Sequence, residues 1–202
     1  MVDALILDMD GVVRHWDPEH FSSTVRSFGV SREQFVAVAF EDALFASAMT
    51  GAISAEQWDD EIGRRLGDRH GCDPVAVAGA FAAMRWSIDD DVVTVVKEVR
   101  DAGRVRVALF SNASTRLEAD LESCGLGNSF DVVFNSARLG VAKPDPEAFL
   151  MVAAALGTTP ERCLFVDDTR ANVEGARAAG MQAEAFTNVA ALRSLLERAG
   201  LL

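Results

Sequence analysis

An α/β fold, with a doubly wound parallel sheet and an inserted helical segment, is predicted by three features of the sequence. From residue 89 onward, short apolar strands alternate with helical segments, an order that favours right-handed crossovers and a parallel sheet with helices on both faces. A further buried strand is expected close to the amino end. Between residues 15 and 88, apolar residues instead recur at helical spacing. We therefore predict an α/β core of residues 1–14 and 89–202 and a helical insert of residues 15–88.

The first predicted strand leads directly into two acidic residues. The apolar run at residues 5–7 is followed by Asp8 and Asp10, which are separated by Met9, and then by Gly11. Because residues i and i+2 of an extended chain point to the same side, both carboxylates can face one reaction centre. Gly11 permits a sharp turn or a close approach to a ligand. Two such carboxylates suit a hard cation such as Mg²⁺, and one can attack an electrophile while the other handles protons.

About four helices are expected in the helical insert. Residues 50–52 interrupt one helix, and Ser54 with Gln57 forms a capping-box pattern at the start of the next. Pro74 suits the first position of a further helix that runs to about Trp86. The helical spacing favours a hydrophobic core, rather than a substrate pocket, for five large side chains: Phe40, Phe45, Met49, Trp58 and Trp86.

Local signals mark the ends of the elements in the α/β core. Asp89 begins a run of three acidic residues that favours the start of a helix, and Gly103 favours its end. Asp145, followed by Pro146, is typical of another helix start. The expected strands cover residues 105–110, 130–134, 162–166 and 181–186, and the expected helices cover residues 89–100, 114–124, 145–156, 171–179 and 189–199.

Composition limits the partners and the environment of the protein. The chain of 202 residues is 50% hydrophobic and carries a net charge of −12, which argues against nucleic acid or an anionic membrane as its main partner. The longest apolar stretch, residues 75–84, is well short of the roughly 20 residues that cross a bilayer. Cys72, Cys124 and Cys163 are scattered, and the amino end lacks a secretion signal. We therefore expect reduced thiols and a cytoplasmic protein.

Polar residues follow three of the predicted strands at the edge of the sheet where ligands of such folds bind. They are Asp8 and Asp10, Ser111 and Asn112, and Asp167 and Asp168. Lys143 lies in a loop that two prolines make rigid, just before a helix, where it can neutralise an anion bound beside a metal. This convergence predicts an active site at that edge.

Taken in chain order, these groups resemble the four motifs of the haloacid dehalogenase-like hydrolases. The motifs read Asp8-x-Asp10-Gly11, Ser111-Asn112, Lys143-Pro144 and Asp167-Asp168. The resemblance covers nearly the whole chain and implies a Rossmann-like core with a small α-helical cap, of the subfamily I type, at the position of the helical insert. It also implies a Mg²⁺-dependent phosphatase that acts on a small phosphorylated metabolite.

The resemblance implies a catalytic role for five residues. Asp8 is expected to be the nucleophile that becomes an aspartyl-phosphate, and Asp10 the acid that protonates the leaving group and then activates water. Ser111 and the backbone of Asn112 are expected to hold phosphoryl oxygens. Lys143 is expected to bind the same phosphoryl group and to position Asp8.

The metal site implied by the resemblance uses the same acidic residues. Mg²⁺ is expected to bind an Asp8 oxygen, the backbone carbonyl of Asp10, and Asp168. For Asp167, direct ligation and a supporting role behind the ligands both stay open. Asn172 is expected to be a packing residue rather than a ligand.

Three alternatives to a phosphatase follow from the same motifs. A 2-haloacid dehalogenase is less favoured because displacing a halide needs no general acid at the position of Asp10. A phosphosugar mutase shares every motif and differs in how well the helical insert excludes water. A non-catalytic binding module is disfavoured by the clustered opposite charges. The sequence specifies neither the substrate nor the oligomeric state, and its two chain crossings predict a hinge near Arg14 and Ser87.

Overall fold

The computed structural model describes residues 1–202 as seven strands, eleven α-helices and a short 3-10 turn at Pro160–Arg162. The strands are β1 (Ala4–Leu7), β2 (Arg14–Trp16), β3 (Trp86–Ile88), β4 (Arg106–Ser111), β5 (Val132–Asn135), β6 (Cys163–Asp167) and β7 (Gln182–Ala185). The helices are α1 (Pro18–Ser27), α2 (Arg32–Ala39), α3 (Asp42–Met49), α4 (Ala55–His70), α5 (Pro74–Ala82), α6 (Asp90–Ala102), α7 (Leu117–Ser123), α8 (Ser136–Leu139), α9 (Pro146–Ala155), α10 (Arg170–Ala178) and α11 (Val189–Arg198).

Five strands form one parallel sheet in the order β5-β4-β1-β6-β7, which confirms the predicted α/β fold. In the central strand, β1, Leu7 pairs with Leu109 on one side and with Val166 on the other. All four residues of β1 are buried, as expected for a strand flanked on both edges and covered on both faces. The carboxyl ends of β1, β4 and β6 therefore lie side by side.

Alternate residues of β1 face two separate hydrophobic clusters. Leu5 and Leu7 belong to a cluster of 22 buried residues that includes the inner faces of α6, α7 and α11. Ala4 and Ile6 belong to a cluster of 16 buried residues that includes α9 and α10. This two-residue period buries both faces of the sheet under helices and holds its polar edge in place.

The helical insert contains five helices, one more than predicted, around a cluster of 12 buried residues. The helix α5 ends at Ala82, before the predicted end near Trp86, because β3 pairs antiparallel with β2. Each of these strands has three residues, too few to show a periodic pattern in the sequence. The resulting ribbon joins the helical insert to the α/β core. Domain boundaries at residues 14/15 and 88/89 stay a prediction.

Most of the predicted helix ends are confirmed. Ser54 and Gln57 form both hydrogen bonds of the capping box of α4, and Asp145 caps α9. The helix α7 begins at Leu117, later than predicted, because the preceding segment turns across the sheet edge instead of continuing the helix. The short helix α8 was not predicted.

Two further findings concern the cysteines and the lengths of the helices. Cys72, Cys124 and Cys163 are all unpaired, and Cys163 is buried in β6. None of the eleven helices combines the length and the apolar content that a membrane crossing requires.

Candidate active site

A buried lysine lies between two buried carboxylates at the carboxyl edge of the sheet. The Nζ atom of Lys143 is 2.8 Å from Asp8 Oδ1 and 2.6 Å from Asp167 Oδ2. It also donates a hydrogen bond of 3.0 Å to the backbone carbonyl of Phe110. Since a buried ammonium is tolerated only when it is paired, these contacts fix the lysine beside Asp8. The sequence prediction that Lys143 lies close to Asp8 is therefore met.

Asp167 is fully occupied by donors of the protein itself. Its Oδ2 accepts from Lys143, and its Oδ1 accepts from the backbone N–H of Thr169 at 2.8 Å. The Nδ2 atom of Asn172 lies within 3.1 Å of both oxygens. A carboxylate has about four lone-pair sites, and all four have partners here. Asn172, expected only to pack, thus orients Asp167 from the first turn of α10, five residues further along the chain.

Three carboxylates cluster at this edge, and Asp8 and Asp168, which accept fewer hydrogen bonds than Asp167, can hold a metal ion. One oxygen from each of Asp8, Asp167 and Asp168 lies within 4.8 Å of the others. Gly11 has φ 85°, and a Cβ at this position would overlap the Asp168 carboxylate. A glycine is thus required both by the backbone and by the space that Asp168 occupies. Clustered carboxylate oxygens suit a hard cation such as Mg²⁺.

Burial changes the protonation of this cluster. It raises the pKa of the Asp8 carboxyl to about 7, although the Lys143 ammonium opposes the shift. It also raises the pKa of Asp168, although the hydrogen bond from Thr169 opposes that shift. A bound cation would favour the ionised forms of both carboxyls.

Ser111 and Asn112 lie where the sequence predicts, at the end of β4. Ser111 is buried and pairs in register with Asn135 of β5. The side chain of Asn112 donates to the backbone carbonyl of Lys143 at 2.7 Å and accepts from its backbone N–H at 2.8 Å. Asn112 therefore also ties the lysine loop to β4, a side-chain role that the sequence did not indicate.

Asp10 is held by an arginine that the sequence analysis placed only near a hinge. Arg14 donates from Nε and from a terminal nitrogen to the two Asp10 oxygens, at 2.6 and 2.9 Å. Its other terminal nitrogen donates to Asp120 at 3.0 Å, and the guanidinium carbon lies 5.1 and 5.4 Å from the rings of Trp16 and Trp86. These contacts raise the pKa of Arg14 despite the opposing effect of its burial. Residues 10–14 form a turn rather than a helix, so the separation of four residues between Asp10 and Arg14 did not signal this contact in the sequence.

A cavity of about 520 Å³ extends from Asp10 and Asn112 into the helical insert. Its walls are mainly aromatic and aliphatic. They include Phe40, Phe45, Met49, Trp58 and Trp86, all of which were predicted to be core. Met49 and Trp58 are indeed buried in the cluster of the insert, but each also presents a surface to the cavity. Helical spacing does not distinguish a solid core from a cavity wall.

Comparison with known proteins identifies relatives for a large part of the chain. A phosphatase of Mycobacterium tuberculosis is 41% identical over 95 residues, which cover 46% of this chain and 43% of the relative. A phosphoglycolate phosphatase of Pseudomonas putida is 36% identical over 151 residues, which cover 71% of this chain and 51% of the relative. The chain thus spans about half the length of these relatives.

Solved structures share the fold over almost the whole chain. An enzyme of the HAD (haloacid dehalogenase) family from Bacteroides thetaiotaomicron, solved in complex with magnesium and inorganic phosphate, has a TM-score of 0.74 and 20% identity. The alignment covers 93% of this chain and 95% of that enzyme. The L-2-haloacid dehalogenase of Xanthobacter autotrophicus has a TM-score of 0.68 and 23% identity, covering 98% and 83%. At these identities the similarity is one of fold.

A match to a family model identifies the family of this chain. The family model for haloacid dehalogenase-like hydrolases matches residues 2–180. The match begins just before β1, runs through the helical insert, and includes the lysine loop and the two carboxylates at the end of β6, Asp167 and Asp168. Because it spans most of the chain, this protein belongs to the haloacid dehalogenase-like hydrolases.

Proposed function

We propose that the protein is a Mg²⁺-dependent phosphatase that hydrolyses a small phosphate monoester through an aspartyl-phosphate on Asp8. The observation that supports this best is the position of Asp8, held by Lys143 and adjacent to a cluster of acidic oxygens suited to a cation. Phosphoryl transfer chiefly requires in-line positioning and positive charge around the phosphoryl oxygens. The two relatives from Mycobacterium tuberculosis and Pseudomonas putida are both phosphatases, which supports the same proposal.

Asp8, Asp168 and the backbone carbonyl of Asp10 are the proposed protein ligands of Mg²⁺. Asp167 is proposed to act from behind them, because each of its oxygens already accepts hydrogen bonds from protein donors. Its role is to hold Lys143. When bound, the ion supplies positive charge opposite the charge that develops on the phosphoryl group.

The proposed reaction uses two steps at phosphorus. The Asp8 carboxylate attacks, a new bond forms between its oxygen and phosphorus, and the bond from phosphorus to the ester oxygen breaks. Asp10 gives its proton to the departing oxygen, so that the product leaves as an alcohol. Asp10 then takes a proton from water, whose oxygen attacks the aspartyl-phosphate; inorganic phosphate leaves and Asp8 is regenerated.

The remaining residues of the site bind the phosphoryl group or position Asp10. Lys143, Ser111 and the backbone N–H of Asn112 are proposed to hold the phosphoryl oxygens. Arg14 is proposed to position Asp10, since its two hydrogen bonds restrict the rotation of that carboxylate. A dehalogenase has no step that needs Asp10 as an acid, and this favours the phosphatase.

The test is phosphate release from an activated aryl phosphate and from sugar, nucleoside and alkyl phosphates, with Mg²⁺ or with EDTA. Wild type is compared with Asp8→Asn and with Asp101→Asn, which changes an exposed acid at the end of α6. We expect release that requires Mg²⁺, is lost in Asp8→Asn and is kept in Asp101→Asn. Release that persists in Asp8→Asn would contradict the nucleophile. Metal-independent halide release from a 2-haloacid, without phosphate release, would identify a dehalogenase instead.

A further inference from the structure

We infer that the substrate is a phosphate monoester whose alcohol part is a hydrophobic, uncharged group, bound in the cavity of the helical insert. This inference rests on the proposed function, because the cavity receives the leaving group of that reaction. It goes further by naming the chemistry of the leaving group.

The cavity walls are predominantly apolar. Of the 21 residues that line the cavity, 13 are hydrophobic. Phe40, Phe45 and Trp58 pack on one another in tilted and edge-to-face arrangements with ring centroids 5.3 to 6.2 Å apart, and the Phe81 ring packs edge-to-face with Trp58 at 5.3 Å between centroids. Met49 adds a flexible thioether to this wall. Such a surface gains free energy by removing apolar groups from water and offers little to a hydroxylated sugar.

The polar groups at the base of the cavity are already paired within the protein. Arg14 already donates hydrogen bonds to Asp10 and to Asp120. Arg116 forms a salt bridge with Asp59 of α4. A second anionic group on the substrate would therefore meet no free cation at the base of the cavity.

The amide of the lining is also paired, and the one cation without a carboxylate partner lies at the edge of the cavity rather than at its base. Both polar atoms of the Asn112 side chain bond to the backbone of Lys143. Arg32 has no carboxylate partner, but it is exposed at the edge of the cavity and lies 5.7 Å from the Phe21 ring. Beyond Asp10, with Arg32 and Ser114 as the exceptions, the walls thus provide mainly apolar contact area.

Continuity with the reaction centre assigns this space to the substrate. Asp10, which we propose protonates the leaving oxygen, belongs to the lining itself. The group attached to that oxygen must therefore extend toward the aromatic wall. A volume of about 520 Å³ fits a small organic group, within the range of roughly 300–1,000 Å³ typical of ligand pockets.

A homologous series of n-alkyl phosphates tests the inference, because the leaving-group chemistry stays nearly constant while the apolar area grows. We expect kcat/KM to rise from ethyl to octyl phosphate by roughly three- to fourfold per added methylene until the cavity is full. All substrates are used below the concentrations at which they form micelles. Phosphoglycolate and a hexose phosphate, the polar comparators, are expected to react more slowly than hexyl phosphate.

Two variants test whether the dependence of kcat/KM on alkyl chain length arises in this cavity. Val36 lines the cavity and is 37% exposed, whereas Val75 is exposed on another helix of the insert and lies outside the cavity. Val36→Asn is expected to lower the ratio of kcat/KM for octyl over ethyl phosphate by up to roughly tenfold, the effect of losing one apolar contact. Val75→Asn, which introduces the same side chain elsewhere, is expected to leave that ratio unchanged.

The outcomes separate this inference from the proposed function. Mg²⁺-dependent phosphate release with no dependence on chain length, or with a preference for the polar comparators, overturns the hydrophobic substrate and leaves the phosphatase standing. Failure to release phosphate from any ester, including the activated aryl phosphate, overturns both. A rise with chain length that Val36→Asn and Val75→Asn reduce equally overturns the assignment to this cavity.

Discussion

At the scale of single residues, the pairing of Lys143 with Asp8 and Asp167 determines both chemistry and stability. The lysine is 4% exposed and Asp167 is fully buried. Neither charge is tolerated in that position without the other. This pairing holds Asp8 in position for attack. It also requires the folded protein to bury three charged groups, and their desolvation lowers its stability.

Lys143→Met is expected to abolish phosphate release and to lower the free energy of unfolding by about 3–5 kcal/mol in EDTA, because Asp8 and Asp167 lose their shared cation. Denaturant unfolding with EDTA and with Mg²⁺ measures this. We expect Mg²⁺ to restore part of the lost stability, since it returns positive charge to the cluster. An equal loss with and without Mg²⁺ would contradict a metal beside Asp8.

The raised pKa of Asp8 gives a pH dependence of defined sign. Its folded-state pKa of about 7 lies above the model-peptide value of 3.8, so the folded protein binds the extra proton. The contribution of Asp8 to stability is therefore greatest below pH 4 and decreases as the pH rises toward 7. In EDTA, the stability of wild type relative to Asp8→Asn is expected to fall from pH 5 to pH 8, by on the order of 1–3 kcal/mol. Unfolding curves measure this. If the free energies of unfolding of wild type and Asp8→Asn differ by the same amount at pH 5 and at pH 8, Asp8 does not ionise between these pH values.

Arg14 holds the Asp10 carboxylate in position through two hydrogen bonds. Arg14→Lys keeps a charge but loses the forked geometry that holds both Asp10 oxygens. We expect kcat to fall by roughly tenfold to a hundredfold for alkyl phosphates, a part of the roughly 10²- to 10⁴-fold that general acid catalysis contributes. An activated aryl phosphate, whose leaving group needs little protonation, should lose much less. A uniform loss across substrates would indicate a structural role only.

At the scale of elements, α10 carries two functions at once. Asn172 on its first turn orients Asp167, and Gly175 on the same helix allows the backbone carbonyl of Pro144 to approach closely. The lysine loop is thereby packed against a helix and tied to β4 by Asn112. The position of the Lys143 side chain depends on both contacts.

Gly175→Ala tests this packing, because a Cβ at residue 175 would overlap the Pro144 carbonyl. We expect kcat to fall by about tenfold or more as Lys143 shifts, with a loss of stability of about 1–3 kcal/mol. Gly79→Ala is the matched control, since Gly79 lies within α5 with no atom near its added Cβ. It should be neutral or stabilise by about 0.5–1 kcal/mol. Equal effects of the two substitutions on kcat would refute the packing role.

At the scale of the whole molecule, the helical insert contacts the α/β core on two sides of the cavity. On one side, β2 and β3 form the connecting ribbon, near the hinge that the chain crossings predict. On the other, the backbone N–H of Ala55 donates to Thr115 Oγ1 at 3.0 Å, and Asp59 pairs with Arg116. Opening at the second contact, about the ribbon, would give substrate access to the cavity.

A disulfide between A55C and T115C, in the otherwise unchanged chain, is expected to reduce turnover by tenfold or more when oxidised, because substrate exchange requires this contact to open. Reduction should restore activity. Steady-state rates before and after reduction measure this, and the oxidised single variants control for Cys72, Cys124 and Cys163. Full turnover with a confirmed crosslink would show that opening here is not needed.

The sequence by itself determined the fold class, most strands and helix ends, and the identity of the charged groups at the sheet edge. These follow from local causes. A run of apolar residues buries a strand, Asp145 and Ser54 cap helices from adjacent positions, and parallel strands bring their carboxyl ends to one edge. The roles assigned to Asp8, Asp10, Ser111 and Asp168 stay predictions that the proposed experiments test.

Tertiary structure decided what surrounds those groups. Asp120 is 106 residues from Arg14, and no local pattern indicates that the two pair. Trp86 reaches the cavity only because β3 pairs with β2, which lies far away in the sequence. Contacts between distant residues form through packing of whole elements, so hydrophobic spacing alone gives Phe40 and Trp58 the same pattern in a solid core or in a cavity wall.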